Sequence, residues 1–346
     1  MDFSSSVAQA LLAEPQLAVR LCAPGRLHLG FLDPAGSLGR RFGSLGLVID
    51  GFETEIELSA SSVDRVSACS VDARAEVERS AGYLSTLQRR TGLREPLHLK
   101  LVRVLPAHSG FGSGTQLALA IGRAFAQWHH LDVSTPELAQ WLARGLRSGI
   151  GIAGFDQGGL LLDGGPGADG SPAPVLSRIA LPAAWRVAVV QDGAHQGLSG
   201  ANERQAIASL APLPQAVAAD ICHQVLMRVL PSAASAEFAP FAAGITRIQQ
   251  ALGDHFAPAQ GGGAFTSAAV GRLIGWMGSA DPLCARGQSS WGPTGFAIFP
   301  SQARAQAVLD AARAANIIDA SVTVRIVSGR NSGATVIDQR SAPRRA

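Results

Sequence analysis

This sequence predicts an α+β protein of two domains, and three observations carry the prediction. A strand, a glycine-rich loop and an apolar helix follow one another over residues 97–128. Upstream of them lie alternating apolar and polar runs that read as strands, and beyond residue 185 strand and helix patterns alternate. The length of 346 residues suits two modest domains, and at 47% hydrophobic against 16% charged the chain can bury a substantial core.

Taken in order, residues 1–16 read as a loosely held lead-in. LAVRLCAPGRLHLGFLD, from Leu17, offers a strand, a turn at Pro24-Gly25 and a second strand carrying Arg26 and His28. Strands follow at Leu45–Asp50 and Thr54–Leu58, with glycines between them. Asp72 to Arg90 is helical in pattern: Val77, Tyr83, Leu84 and Leu87 share one face, and the Arg and Glu residues form a solvated outer surface. After the central loop and helix, Thr135-Pro136-Glu137 opens another helix, proline being suited to a first turn. RGLRSGIGIAGFDQGGLLLDGGPG, from Arg144, has too many glycines for a regular helix and reads as a tightly folded segment close to a ligand or another backbone. Asp169 to Pro174 reads as a surface loop.

WRVAVVQDG, from Trp185, is a buried strand that opens the second domain, so the division falls at 17–184 and 185–330. Helical patterns cover 201–230 and 234–256, broken near Pro212–Pro214 and at Pro231. GQSSWGPT is a loop leading into strand Thr294–Phe299, and a helix over 301–315 with a strand Ser321–Val327 completes a split βαβ layer. The Arg-rich end, 331–346, reads as loosely ordered.

The central stretch LPAHSGFGSGTQLALAIGRAFAQW, Leu105 to Trp128, organises the rest. Strand, loop and helix in that order point free backbone N–H groups and the positive helix end at the loop's contents, which favours a phosphate. Gly110, Gly112 and Gly114 supply the close backbone; Ser113, Thr115 and Gln116 add side-chain donors. The lysine of a Walker A loop is absent, and so is a GxGxxG pattern.

Composition narrows the function classes. A net charge of +3, with basic residues scattered along the chain, argues against nucleic acid and suits a small anionic substrate. Of the 29 basic residues only Lys100 is a lysine. Schiff-base chemistry is therefore disfavoured, and anion contacts fall to arginine, whose planar fork grips phosphate or carboxylate. Cys22, Cys69, Cys222 and Cys284 lie far apart and read as reduced thiols; with no secretion signal or membrane span, a cytoplasmic protein is expected.

Pro106 followed by HSGFGSGTQ resembles the phosphate loop of the GHMP kinase superfamily, with Phe111 in place of the usual Leu and Gly114 in place of the second Ser. Ala-Pro-Gly-Arg at 23–26 resembles the superfamily's opening strand. Four segments in the same order, GRLHLGFLD, HSGFGSGTQLALAIG, RSGIGIAGFDQGG and GQSSWGPT, resemble one branch in particular, the β-ribofuranosylaminobenzene 5'-phosphate synthase family, over roughly residues 20–330. The resemblance implies a ribosomal-protein-S5-like N-terminal domain, a ferredoxin-like C-terminal domain and a homodimer. It implies a reaction in which 4-aminobenzoate, or a related 4-substituted benzoate, condenses with phosphoribosyl pyrophosphate. Carbon dioxide and pyrophosphate leave, and a C-riboside forms on the way to tetrahydromethanopterin. Mg²⁺ is expected and an organic cofactor is not.

That chemistry assigns candidate roles. Departure of pyrophosphate leaves positive charge at the anomeric carbon, so His108, Gly110, Gly112, Ser113, Gly114, Thr115 and Gln116 are candidates to hold the leaving group. Arg26 or Arg147 orients the aromatic carboxylate or the 5'-phosphate, and Asp156 ligates metal or stabilises the developing sugar cation; Ser113 is the other candidate metal ligand. His28, Ser148, Gln157, Gln288, Ser289, Ser290 and Trp291 are candidate substrate contacts, Trp291 as a wall beside the aromatic ring. Two other readings stand beside this one: an ATP-dependent small-molecule kinase on the same fold, and a non-catalytic metabolite sensor.

Overall fold

The computed structural model describes residues 17–195, 197, 205–206 and 209–341. The expectations for residues 1–16 and 342–346, and for part of the helical pattern after 201, lie outside the described residues.

The first sheet is built on two long antiparallel strands, β1 (Ala18–Asp33) and β2 (Phe42–Ala60). The expected turn at Pro24-Gly25 is instead a β-bulge inside one continuous strand: the register shifts between Pro24 and Arg26, and again between His28 and Gly30. Proline, which cannot donate to a ladder, is accommodated at such an irregularity. The two short strands expected over 45–58 are likewise one strand. Beside β2 lie β4 (Leu97–Arg103), antiparallel, and then β3 (Arg65–Ala68), parallel to β4. Two strands missed in the sequence, β5 (Leu160–Asp163) and β6 (Val175–Ile179), extend the sheet from the other end of β2.

The chain's end also differs from expectation. Thr335–Asp338 forms a strand, β11, pairing with β1 from Val19↔Asp338 to Cys22↔Thr335. Arg340 then stacks over Trp128 at 4.4 Å from the ring centroid and donates to the Gln127 and Trp128 carbonyls. These contacts hold residues the sequence alone presented as a polar tail.

On the first sheet pack α1 (Val77–Thr91) and α2 (Ser113–Trp128), with α3 (Thr135–Trp141) and α4 (Ile150–Gln157) beside them. α1 buries Tyr83, Leu84 and Leu87 as its periodicity predicts. α3 carries a full capping box, Ser134 with Glu137. α4 corrects the expectation of an irregular segment over 150–157. Its glycines serve close packing within a regular helix: a Cβ at Gly154 would meet Val48 Cγ2 at 2.8 Å, and one at Gly151 would meet Thr115 Cγ2 at 3.3 Å.

The second sheet runs β10–β7–β9–β8, all antiparallel, from β7 (Arg186–Asp192), β8 (Ala285–Gln288), β9 (Thr294–Phe299) and β10 (Val322–Ser328). That order is the split βαβ, ferredoxin-like arrangement. Helices α5 (Gln215–Gln224), α6 (Phe238–Phe256) and α7 (Ala268–Ala280) lie between β7 and β8, and α8 (Gln302–Ala314) between β9 and β10. Pro231 does not break the chain of helices: α5 passes through a π turn, Val225–Val229, into Leu230–Ala234. Alternation along β7 sorts its side chains. Val187 and Val189 join Leu27, Leu29, Leu45 and Leu47 of the first sheet and Phe241 and Ile245 of α6 in one core, while Ala188 and Val190 pack with α7 and α8. The two sheets therefore share a core, and the loops at its edge are held in register. No described helix is long and apolar enough to cross a membrane.

Candidate active site

The glycine loop is fixed to its surroundings by three hydrogen bonds. Arg26 N–H donates to the Phe111 carbonyl at 3.1 Å, Arg26 Nη1 donates to the Gly110 carbonyl at 2.8 Å, and Ser289 Oγ donates to that same carbonyl at 2.7 Å. Ser289 Oγ in turn accepts from the His28 N–H at 2.9 Å. One buried serine thus ties the opening strand, the glycine loop and the β8–β9 hairpin together. Phe111 anchors the loop from below: it is fully buried and stacks on Phe52 at 4.6 Å. Gly110 and Gly112 take φ of +85° and +73°, a conformation that favours glycine. A Cβ at Gly110 would also lie 2.5 Å from the Ser289 carbonyl oxygen.

Beyond the loop, α2 begins. Thr115 and Gln116 N–H bond back to the Gly112 carbonyl, while the Ser113 and Gly114 N–H groups have no partner among the described residues. Two arginines that the sequence reading passed over flank this helix start. Atoms of Arg144 and Arg79 lie 3.5 and 3.9 Å from where a Cβ on Gly114 would stand. Arg79 pairs with Glu76 at 3.1 Å, and Arg144 donates to the Tyr83 hydroxyl and lies over the Tyr83 ring. Burial, and then the neighbouring Arg79 charge, lower the Arg144 pKa. Two guanidinium groups, one carboxylate and two open N–H groups leave an excess of positive potential, which suits a polyanion.

On the other side of the hairpin loop opens a narrow cleft. Its walls are aromatic, from Phe31, Phe256 and Trp291, and amide-bearing, from Gln249, Gln260 and Gln288, with His28 among them. Trp291 is 3% exposed and packs on Phe256 at 4.7 Å. Gln288 holds the shape: its amide donates to Gln260 Oε1 and the Ser290 carbonyl and accepts from the Thr266 N–H. Ser290 lines the cleft with a φ of +55°. The His28 pKa is lowered to about 3, first by burial and then by the positive charges of Arg26 and Arg147. His28 is therefore a neutral imidazole at any physiological pH.

Of the residues singled out in the sequence, His28, Gln288, Ser290 and Trp291 line this cleft; Arg26 and Ser289 meet at the Gly110 carbonyl beside it, and the charge of Arg147 acts on His28. His108 heads the loop with φ +56°, and its carbonyl accepts from the Gly197 N–H at 3.1 Å. Gln116 is fully buried and donates to the Gly151 carbonyl, so it joins α2 to α4 and is not presented to a ligand.

Three assignments fall elsewhere. Asp156 is exposed at the far end of α4 and accepts from Thr135 Oγ1 at 2.6 Å. Thr135 also accepts from Arg123, which stands ten residues along α2 from Ser113, about 15 Å by helical rise. Gln157, beside it, is exposed, with its carbonyl bonded to Arg178. Ser148 Oγ turns towards Asp163 at 3.0 Å. Asp163 is the carboxylate the sequence reading missed. It is fully buried and accepts from the N–H groups of Ser44, Gly149, Ile150 and Gly165 as well as from Ser148, so it sets the turn that starts α4. Burial raises its pKa against those bonds. Its signal in the sequence was a lone acid ending the apolar run LLLD.

Among the described residues no cluster of three or more His, Cys, Asp or Glu side chains could cage a metal. The groups at the loop are guanidinium, hydroxyl and N–H, which fit an anion; they do not form a divalent-cation site.

Comparison with known proteins agrees with this fold. Residues 78–163 match the GHMP kinases N terminal domain. Among solved structures, homoserine kinase from Cytophaga hutchinsonii superposes with a TM-score of 0.68 at 18% identity, covering 94% of this chain and 99% of that one. Mevalonate diphosphate decarboxylase from Staphylococcus aureus superposes with a TM-score of 0.64 at 14% identity, covering 93% and 98%. These establish the GHMP kinase fold. The beta-ribofuranosylphenol 5'-phosphate synthase of Archaeoglobus fulgidus is 32% identical over 300 residues, 82% of this chain and 89% of that protein. The synthase of Methanothermobacter thermautotrophicus is 30% identical over 335 residues, 91% and 97%. With a shared fold and this identity over most of its length, the chain belongs to the β-ribofuranosylphenol 5'-phosphate synthase family.

Proposed function

We propose that the protein condenses a 4-substituted benzoate with phosphoribosyl pyrophosphate, releasing carbon dioxide and pyrophosphate and forming a β-C-riboside 5'-phosphate for tetrahydromethanopterin synthesis. The observation that carries this reading is the juxtaposition, across the Ser289 link, of a cationic helix start and an aromatic-walled cleft. One suits the pyrophosphate and the other the aromatic acid. The family name puts a phenol in the relatives' product, so 4-hydroxybenzoate joins 4-aminobenzoate as a substrate and becomes the preferred one.

In this reading the para substituent pushes electron density to the ring carbon that bears the carboxylate. That carbon forms a bond to the anomeric carbon as the bond from the anomeric carbon to the pyrophosphate oxygen breaks. The ring-to-carboxylate bond then breaks, its electron pair restores aromaticity, and carbon dioxide leaves. Arg79, Arg144 and the open N–H groups of Ser113 and Gly114 take the charge developing on pyrophosphate. Arg26 and Arg147 hold the aromatic carboxylate or the 5'-phosphate. Mg²⁺ carried on phosphoribosyl pyrophosphate would neutralise part of its charge, with the Ser113 hydroxyl as the protein group beside it. Holding both reactants side by side across the Ser289 link supplies much of the acceleration.

A homodimer in the cytoplasm belongs to the same reading; the four cysteines, all free, suit a reducing compartment. The kinase alternative has fold likeness in its favour, and one fold hosts many chemistries. The test is release of label from carboxyl-labelled 4-hydroxybenzoate and 4-aminobenzoate. Release that requires protein, phosphoribosyl pyrophosphate and Mg²⁺ supports the reading. Silence with both acids, together with ATP consumption on a metabolite panel, replaces it with the kinase.

A further inference from the structure

Two ring nitrogens in the walls of the aromatic cleft are buried without a hydrogen-bond partner among the described residues: His28 Nε2 and Trp291 Nε1. Their residues are 4% and 3% exposed. Buried polar groups in folded proteins are nearly always paired, so each one here calls for an explanation. They differ in kind. Indole Nε1–H only donates. In the Nδ1–H tautomer of the neutral His28 imidazole, Nε2 is an acceptor. The cleft therefore offers one donor and one acceptor in an otherwise aromatic and amide surround.

Placement along β1 adds a length. The register is regular from Arg26↔Val48 to His28↔Gly46, so Arg26 and His28 lie on the same face of the strand. They are two residues apart, about 6.6 Å by strand rise. That spacing is on the scale of a benzene ring with its two para substituents.

We propose that His28 and Trp291 read the para substituent of the aromatic acid, His28 Nε2 accepting from it and Trp291 Nε1 donating to it, and so select hydroxyl over amino. The inference rests on the reaction proposed above. A phenolic oxygen both donates and accepts and satisfies both nitrogens. An aromatic amine donates, but its lone pair is delocalised into the ring and accepts poorly, so Trp291 stays unpaired beside it. Neither residue takes part in bond making. Both are specificity-determining contacts.

The test is the ratio of kcat/KM for 4-hydroxybenzoate to that for 4-aminobenzoate in the wild type, Trp291→Phe and His28→Gln, with equilibrium binding of each acid measured by calorimetry. We expect the wild type to favour the hydroxy acid and Trp291→Phe, which removes only the donor, to lower the ratio by about tenfold or more. His28→Gln keeps an acceptor on a longer arm and lowers the ratio less. An unchanged ratio in both variants, or a wild type that prefers the amino acid substrate, overturns the proposal. If Trp291→Phe does not fold, the His28→Gln ratio decides. If the wild type turns over neither acid, the reaction is wrong and calorimetry decides the selection: tighter hydroxybenzoate binding that weakens in Trp291→Phe upholds it, and equal binding of the two acids sinks it.

Discussion

Gly110, Gly112 and Gly114 look alike in the sequence, yet the same added methyl group should act differently at each. At Gly110 an alanine must adopt φ near +85°, which costs about 1–2 kcal/mol for an L residue. Its Cβ would also stand 2.5 Å from the backbone oxygen of Ser289, which the hairpin holds in place; overpacking of this kind costs about 1–3 kcal/mol more. The expected destabilisation of Gly110→Ala is therefore about 2–5 kcal/mol. Gly112→Ala carries the same backbone cost, but its Cβ meets Arg26 Cζ at 3.0 Å, the movable end of a side chain. Gly114 lies inside α2, and its nearest neighbour would be Arg144 Nη1 at 3.5 Å, an ordinary contact. Gly114→Ala should be neutral or stabilising by up to about 1 kcal/mol.

Equilibrium urea unfolding of the three variants tests this order, with m compared to ensure that the denatured states match. Turnover should separate from stability at Gly114, where the methyl group enters the space between the helix start and the two arginines. Three variants within about 0.5 kcal/mol of one another, or Gly114→Ala the least stable, would refute both the loop geometry and the anion site built on it.

Further outcomes follow from the same site. Arg144→Ala should lower kcat/KM for phosphoribosyl pyrophosphate about 10–100-fold, the worth of one charged hydrogen bond, while far-UV dichroism stays unchanged. Asp156→Asn should leave turnover within about threefold of wild type, since the carboxylate bonds Thr135 away from the cleft; a loss like that of Arg144→Ala would return Asp156 to the site. His28 carries a pH signature. Its folded pKa of about 3 lies below the unfolded value of 6.5, so its contribution is present above pH 6.5 and is lost as pH falls towards 3. At pH 5 that loss is about 2 kcal/mol relative to pH 7. Urea unfolding at both pH values should therefore show a smaller drop in His28→Gln than in wild type, and equal drops would mean that His28 is protonated in the fold.

Much of this architecture was legible in the sequence wherever a local rule acts alone. The helix opened by Thr135-Pro136-Glu137, the burial face of α1 and the apolar run of β7 depend on neighbours a few residues away. The glycine loop announced itself because free N–H groups at a helix start follow from strand, glycines and apolar helix in that order. The short β5 and β6 did not. Their pairing with β2 and with each other is a non-local event, and β5 lies in a glycine-dense run. The helix over 150–157 was hidden because its glycines lower intrinsic propensity, while contacts with Val48 and Thr115 stabilise it.

What the sequence by itself determined is the class of molecule: an α+β chain of the GHMP kinase fold, with a glycine loop before an apolar helix and a loop of unusual composition at residues 287–294. What only the tertiary structure decided is which groups meet there. Arg79 sits in a helix whose charges read as a solvated face, and Arg144 in a turn three residues before the more conspicuous Arg147. Both converge on Gly114 because α1 and the segment after α3 pack beside α2. Asp156 left the site, and Asp163 proved to be the acid that sets a turn. The physical reason is the same in each case. Residue type and spacing fix what a side chain can bond to, but its partner is chosen by the packing of elements distant in sequence.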